Sequence, residues 1–196
     1  MFRCKAAILV LSAGGLVVLL GGVGIAEEPL RYGFGRPAAE GEIRALNIDI
    51  DPTGAGLPPG QGTVQQGAAV YANKCASCHG LTGTEGPKDR LVDGHDSLAT
   101  AHPVKTIGSF WPYATTLYDY IHRAMPLNAP QSLTPEEVYS VVAWLLHQNG
   151  IIPADMIIDA QTLPAVKMPN RGVFVSDPRP EVTRWSIGKQ GGLDSE

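Results

Sequence analysis

The stretch KCASCHG, residues 74–80, constrains this chain more than any other feature. Cys75 and Cys78 stand three positions apart and His79 follows directly, so on one helical turn the two thiols share nearly one face with the imidazole beside them. Two thiols so placed can each add to one of the two vinyl groups of a single haem, with His79 beneath the iron. Covalent attachment then holds the haem in a domain too small to enclose it by burial alone. The spacing predicts one covalently attached haem c, bound through Cys75 and Cys78, with His79 as an axial iron ligand. Zinc is a rival, but a closed zinc site wants four ligands, and no second Cys or His pair at similar spacing follows. A redox disulfide is the other rival; nothing suggests the alternating strands and helices of a thioredoxin-like fold. Neither rival gives His79 a task.

The other cysteine, Cys4, belongs to an N-terminal segment with its own pattern. Arg3 and Lys5 precede an apolar or small run from Ala6 to Ile25, and Gly24, Ile25 and Ala26 are small enough for a signal peptidase. Residues 1–26 are therefore read as a signal peptide cleaved after Ala26. An uncleaved membrane anchor is the rival, weakened by the glycines between Gly14 and Gly24. Both readings place the rest outside the cytoplasm, in the periplasm of a bacterium. An exported chain whose remaining cysteines are only Cys75 and Cys78 uses them locally, not as a disulfide staple. The formal net charge is −4, more negative once Arg3 and Lys5 are removed, which disfavours nucleic acid and suits a basic protein patch.

Residues 27–62 are rich in Gly and Pro and read as an extended arm. Thr63 is the expected N-cap of a helix with Val64, Gly67, Ala68 and Tyr71 at helical spacing, Gly67 marking close packing on another helix. A second helix is expected over residues 115–124, with Leu117, Tyr120, Ile121 and Ala124 on one face and Pro126 stopping it. The clearest helix is TPEEVYSVVAWLLHQNG. There Thr134 caps, Pro135 takes the first turn, Glu137 completes a capping box, and Asn149 with Gly150 closes the end. Residues 151–196 read as an extended tail. The expectation is an all-α domain over residues 63–150, of about three to five short helices, between two extended flanks.

A closed haem site needs a sixth ligand, and the donors available are Met125, Met156, Met168, His95, His102, His122 and His147. Met125 is preferred because Pro126 ends the helix there and frees the thioether to face a pocket; Met168, also before a proline, is the alternative. His/Met ligation raises the reduction potential and leaves no position for substrate, which suits one-electron transfer. Trp111, Tyr113, Tyr118 and Tyr120 read as haem wall or as plain core, the pocket reading being carried for Trp111 and Tyr113.

GAAVYANKCASCHG, RAMP and EEVYSVVAWLL, in this order over residues 62–150, resemble the first helix, axial-methionine loop and last helix of class I cytochromes c. The resemblance implies that Gly67 and Tyr71 meet Val141, Trp144 and Leu145 where the two helices cross. It also implies that Leu91 and Gly94, in RLVDG, line the haem pocket, and that the Gly86–Pro87 carbonyl orients the His79 ring. GFGRPAAEGEIRALNIDI, GLPPGQGTVQQG, KTIGSFWPYATTLYDYIHRAMPLNAP and VKMPNRGVF are similar to the cytochrome c subunit of periplasmic sulfite or sulfur dehydrogenases, the Sox type included. That likeness implies a partner subunit with a molybdenum cofactor, which hands electrons one at a time to the haem, and a downstream cytochrome that takes them. Some Sox subunits carry two haem domains; a single CxxCH makes this a one-haem version. Both flanks are then expected to contact the partner. The alternatives are a free periplasmic shuttle and a haem enzyme or gas sensor, and no motif of the polypeptide itself argues for catalysis.

Overall fold

In a computed structural model, residues 34–175 and 177–179 are described; the expected signal peptide and its cleavage point, or an anchor in its place, lie outside them. Residues 34–38 belong to one compact unit and the chain from Ala39 onward to another. Among the described residues no helix is long and apolar enough to cross a membrane.

The second unit is mostly helical. Its elements run α1 (Glu40–Leu46), β1 (Gln61–Thr63), α2 (Val64–Lys74), α3 (Ala76–His79), α4 (Ala114–Ala124), α5 (Pro135–Gln148), β2 (Ile157–Asp159) and a 3-10 turn (Leu163–Ala165). The central element is α5, whose residues 138–146 are all buried. Its start is set by the reciprocal bonds expected from the sequence: the Glu137 N–H donates to Thr134 Oγ1 at 3.3 Å, and the Thr134 N–H to Glu137 Oε2 at 2.9 Å. Such a box satisfies N–H groups that the first turn would otherwise leave unpaired, and the cap alone contributes about 1 kcal/mol.

The same device starts α2. The Thr63 side chain accepts from Gln66 N–H, and Gln66 Oε1 takes the Thr63 N–H at 3.0 Å. Val64, Gly67 and Tyr71 are its buried residues; Ala68, expected beside them, is exposed. A Cβ at Gly67 would overlap the Ser140 carbonyl and lie 2.7 Å from Trp144 Cβ, so only glycine lets α2 approach α5 this closely. On α4 the buried face includes Leu117, Tyr118 and Ile121, whereas Tyr120 is 46% exposed. The reason is packing on Tyr139 of α5, whose ring centroid lies 4.5 Å from that of Tyr118.

Short regular elements form within both flanks. Ahead of the domain, α1 forms and buries none of its residues. After it Ile50 is buried and its N–H donates to Asp119 Oδ1 at 2.9 Å, while the Tyr139 hydroxyl donates to the Pro58 carbonyl at 2.8 Å. Behind the domain, β2 pairs antiparallel with β1, setting Gly62 opposite Ile158. Ile158, Leu163, Val166, Met168 and Asn170 are buried in turn. Pro164 and Pro169 interrupt this segment, so no sustained helical pattern marks these residues as buried. Part of this segment's polar backbone is satisfied by the strand pair and by Asp159 Oδ1, which accepts from the Thr162 N–H and hydroxyl.

Candidate haem site

The attachment motif is one helical turn at the end of α2. The Cys75 N–H continues the α2 ladder to the Tyr71 carbonyl at 2.9 Å. The N–H groups of Cys78 and His79 then both donate to the Cys75 carbonyl, at 3.1 and 3.0 Å, and α3 carries the turn to His79. Gly80 ends it with a positive φ of 82°, which a residue with a Cβ adopts reluctantly. Cys75 is half-buried and Cys78 exposed. Burial, and to a lesser degree the neighbouring Cys78, pushes the Cys75 thiol up to about 11.

The His79 ring is fixed by one bond. Its Nδ1 lies 2.8 Å from the Asp89 carbonyl oxygen. A carbonyl only accepts, so Nδ1 carries the proton and Nε2 is left with a lone pair for a metal. The acceptor is therefore Asp89 and not the Gly86–Pro87 carbonyl of the sequence reading. The cause lies in the loop: Gly86 presses its backbone onto the motif, where a Cβ would overlap the Cys78 carbonyl and the His79 backbone, and the Lys88 N–H then donates to the Cys78 carbonyl at 2.9 Å. The chain returns under the ring only after that contact, at Asp89.

The remaining expected residues fall into two groups. Cys75, Leu91, Trp111 and Met125 are all half-buried and pack against the same apolar core. Met125 closes α4, its N–H donating to the Ile121 carbonyl at 3.0 Å and its backbone turning to the extended region. Trp111 meets Tyr120 edge-on, with ring centroids 5.8 Å apart. Tyr113, just before α4, is engaged from the tail: the Arg171 guanidinium lies 4.0 Å above its ring. Gly94 is buried and holds a positive φ of 82° beside Val104, so its part is close backbone approach.

Of the other iron donors, Met156 is half-buried against the same core as Met125. Met168 is 3% exposed, within the core under the tail. His147 Nδ1 is 3.1 Å from the Ile152 carbonyl at the end of α5. His122 lies beside Tyr118, with ring centroids 6.0 Å apart, and His95 and His102 are exposed in the loop. Among the described residues no three His, Cys, Asp or Glu side chains gather as a metal site, so zinc finds no further ligands.

The surroundings suit a large apolar group. Leu81, two residues after His79, is 75% exposed, and Leu127, two residues after Met125, is 70% exposed. Exposed large apolar side chains close in sequence to both iron-ligand candidates suit contact with an apolar group such as haem.

Comparison with known proteins agrees. Residues 62–145 match the family described as cytochrome c oxidase, cbb3-type, subunit III. A chain in the crystal structure of the sulfane dehydrogenase SoxCD from Paracoccus pantotrophus is 38% identical, with a TM-score of 0.71. The match covers 85% of this chain and 79% of that one. The chain belongs to the cytochrome c family. Among the curated proteins none matches. Membership in that family implies haem c and electron transfer. The SoxCD match extends well beyond residues 62–145, so the likeness includes the flanks that pack around this cytochrome domain.

Two features of the site had no sign in the sequence. The Asp89 acceptor is a backbone carbonyl, which any residue supplies. Asn149, expected only to close α5, also donates from Nδ2 to the Leu91 carbonyl at 3.2 Å.

Proposed function

We propose that this cytochrome carries a single haem, joined covalently to Cys75 and Cys78 and ligated by His79 and Met125. In this reading it takes electrons one at a time from a molybdenum-cofactor dehydrogenase of sulfur compounds and passes them to a second periplasmic carrier. The observation that carries the haem reading is the bond from His79 Nδ1 to the Asp89 carbonyl, which leaves Nε2 as the free donor atom directly after two thiols on one turn. A haem held there supplies a one-electron iron couple. The chain's own part is to tether it through two sulfurs, to hold the imidazole in one tautomer, and to offer a thioether where α4 stops. Closing both axial positions denies iron to substrate, so the polypeptide serves as a relay and not as the site of sulfur chemistry.

The partner reading rests on the match to a chain of a sulfane dehydrogenase. Ile43 and Leu46 of α1, 52% and 83% exposed, are the apolar side chains that we assign to that partner. Export through residues 1–26 puts the cytochrome domain, residues 63–150, in the periplasm with it.

The test is production of the full chain in a host that matures c-type cytochromes. The haem should stay with the protein in acidified organic solvent, at one per chain, and the reduced form should not bind carbon monoxide. Release of the haem rejects the covalent linkage, and ready carbon monoxide binding rejects the closed site in favour of a gas-binding role. Co-expressed with a molybdenum-cofactor dehydrogenase of sulfur compounds from the same source, the cytochrome should copurify, and Ile43→Asp with Leu46→Asp should abolish that. Full reduction by the dehydrogenase without a stable complex would favour the free shuttle.

A further inference from the structure

The setting of His79 depends on residues 88–91, and that short segment is held at both ends. At one end the Lys88 N–H donates to the Cys78 carbonyl at 2.9 Å. At the other, the Leu91 N–H donates to the Gly83 carbonyl at 2.8 Å, and the Leu91 carbonyl accepts from the Ile107 N–H at 3.3 Å and from Asn149 Nδ2 at 3.2 Å. Asp89, whose carbonyl takes the imidazole proton, lies between the two anchors. Of the partners gripping Leu91, Asn149 is the side chain, and it comes from the end of the central helix.

Asn149 is only 3% exposed, and its Nδ2 also donates to the Leu145 carbonyl at 2.8 Å. Both acceptors are carbonyls, so the amide can face them only with its NH2 group. Oδ1 is then buried and without a partner among the described residues. An unpaired buried oxygen carries a desolvation cost that a leucine in its place would not incur. Room for the amide is made by Gly108, where a Cβ would stand 2.5 Å from Oδ1. A residue kept at such a cost serves the two carbonyls it reaches, and only one of them belongs to its own helix.

We propose that Asn149 is a positioning residue for the axial histidine: by holding Leu91 it fixes the Asp89 carbonyl and so sets the strength of the Nδ1–H···O bond. This rests on the reading of His79 as the iron ligand. A strong bond at Nδ1 makes the imidazole a better donor and favours oxidised iron; a slack one favours reduced iron. Loss of the Asn149 amide therefore raises the reduction potential.

The test compares the haem-loaded parent with Asn149→Leu and Asn149→Thr, using Leu146→Ala as a buried substitution on the same helix. Measured are the potential, the nuclear magnetic resonance signal of the His79 Nδ1 proton, and thermal stability. In Asn149→Leu the ratio of reduced to oxidised protein at a fixed solution potential should rise several-fold, up to about tenfold, the latter being 59 mV for one electron. The Nδ1 proton should exchange faster with solvent. Asn149→Thr, which keeps one donor, should fall between, and Leu146→Ala should lose stability with neither signature. An unchanged potential and proton signal in Asn149→Leu would overturn the proposal, as would equal shifts in Leu146→Ala. Should Asn149→Leu not fold, Gly108→Ala, which pushes the amide aside, carries the same expectation and the same overturning result. Absence of a ligand-shifted Nδ1 signal in the parent would instead sink the assignment of His79, which separates the two failures.

Discussion

The ring of Tyr71 stacks on that of Trp144, with centroids 3.9 Å apart and planes 28° from parallel. The same tyrosine donates its hydroxyl proton to the Gly80 carbonyl at 3.0 Å, directly after the attachment motif. Tyr71 thus joins the crossing of α2 and α5 to the turn that bears both thiols. Burial, followed by the nearby Cys75 and Glu85, raises its hydroxyl well above the usual tyrosine range, so it stays a donor throughout the working pH range. Tyr71→Phe keeps the stack and loses the hydroxyl bond. It should cost about 0.5–1.5 kcal/mol, whereas Trp144→Ala should cost about 3–5 kcal/mol, both read by denaturant unfolding.

Gly67 makes that crossing possible, because any Cβ there meets the Ser140 carbonyl. Helix propensity alone would make Gly67→Ala stabilising by about 1 kcal/mol. Overlap with backbone should reverse the sign, giving a loss of about 1–3 kcal/mol. The direction of the change in unfolding midpoint decides between the two effects.

Met125 marks the end of α4, and replacing it with alanine should open the iron. The expected signs are ready carbon monoxide binding by the reduced protein and a potential lower by on the order of a tenth of a volt or more, within the ~0.8 V range that axial ligands span. Met168→Leu, in the core, should change neither. A parental spectrum and potential in Met125→Ala would return the ligand to one of the other donors.

Much of this arrangement was legible because it is local. Thr63 and Thr134 stand three residues before Gln66 and Glu137, so the helix starts are written in adjacent letters. The same holds for Cys75, Cys78 and His79. What was not legible depends on contacts between distant segments. The choice of Tyr118 over Tyr120 for burial is made by Tyr139 on another helix. The burial of Ile158 and Met168 is made by a strand and a core that their neighbours in sequence do not announce. The Asp89 carbonyl belongs to the backbone and has no residue type to betray it. Ile50 found its place through Asp119, a carboxylate that reads in sequence as an ordinary helix-surface charge.

Asp119 ties the arm to the helix that leads to Met125. Its Oδ1 accepts from the Ile50 N–H and from Arg123 Nε, each at 2.9 Å, and Oδ2 pairs with the Arg123 guanidinium. Asp119→Ala leaves the Ile50 N–H without its acceptor and the arm without its clamp. The expected loss is about 1–3 kcal/mol, with new proteolytic cleavage around residues 47–53. Asp119→Asn, which keeps an acceptor oxygen for Ile50, should recover most of the protection.

The loop after the attachment motif should carry an acid-labile part of the stability. Glu85 accepts from the Thr82 hydroxyl, from the Thr82 N–H at 3.0 Å, and from the Thr84 hydroxyl and N–H at 2.8 and 3.1 Å. These bonds, the Thr82 hydroxyl first, hold its carboxyl at about 2, against 4.5 ordinarily. A carboxylate depressed on folding adds stability that is complete above its unfolded value and disappears as pH falls toward its folded one. The contribution should therefore fade between about pH 4.5 and pH 2. Because the group is fully exposed, the effect should be small and should shrink further in high salt only as far as its charge matters, since the acceptor geometry remains. Glu85→Gln should flatten the fall of the melting temperature across that window and leave it unchanged in slope between pH 5 and 7. An acid limb of the same steepness in parent and variant would show that the loop does not hold the carboxylate in this way.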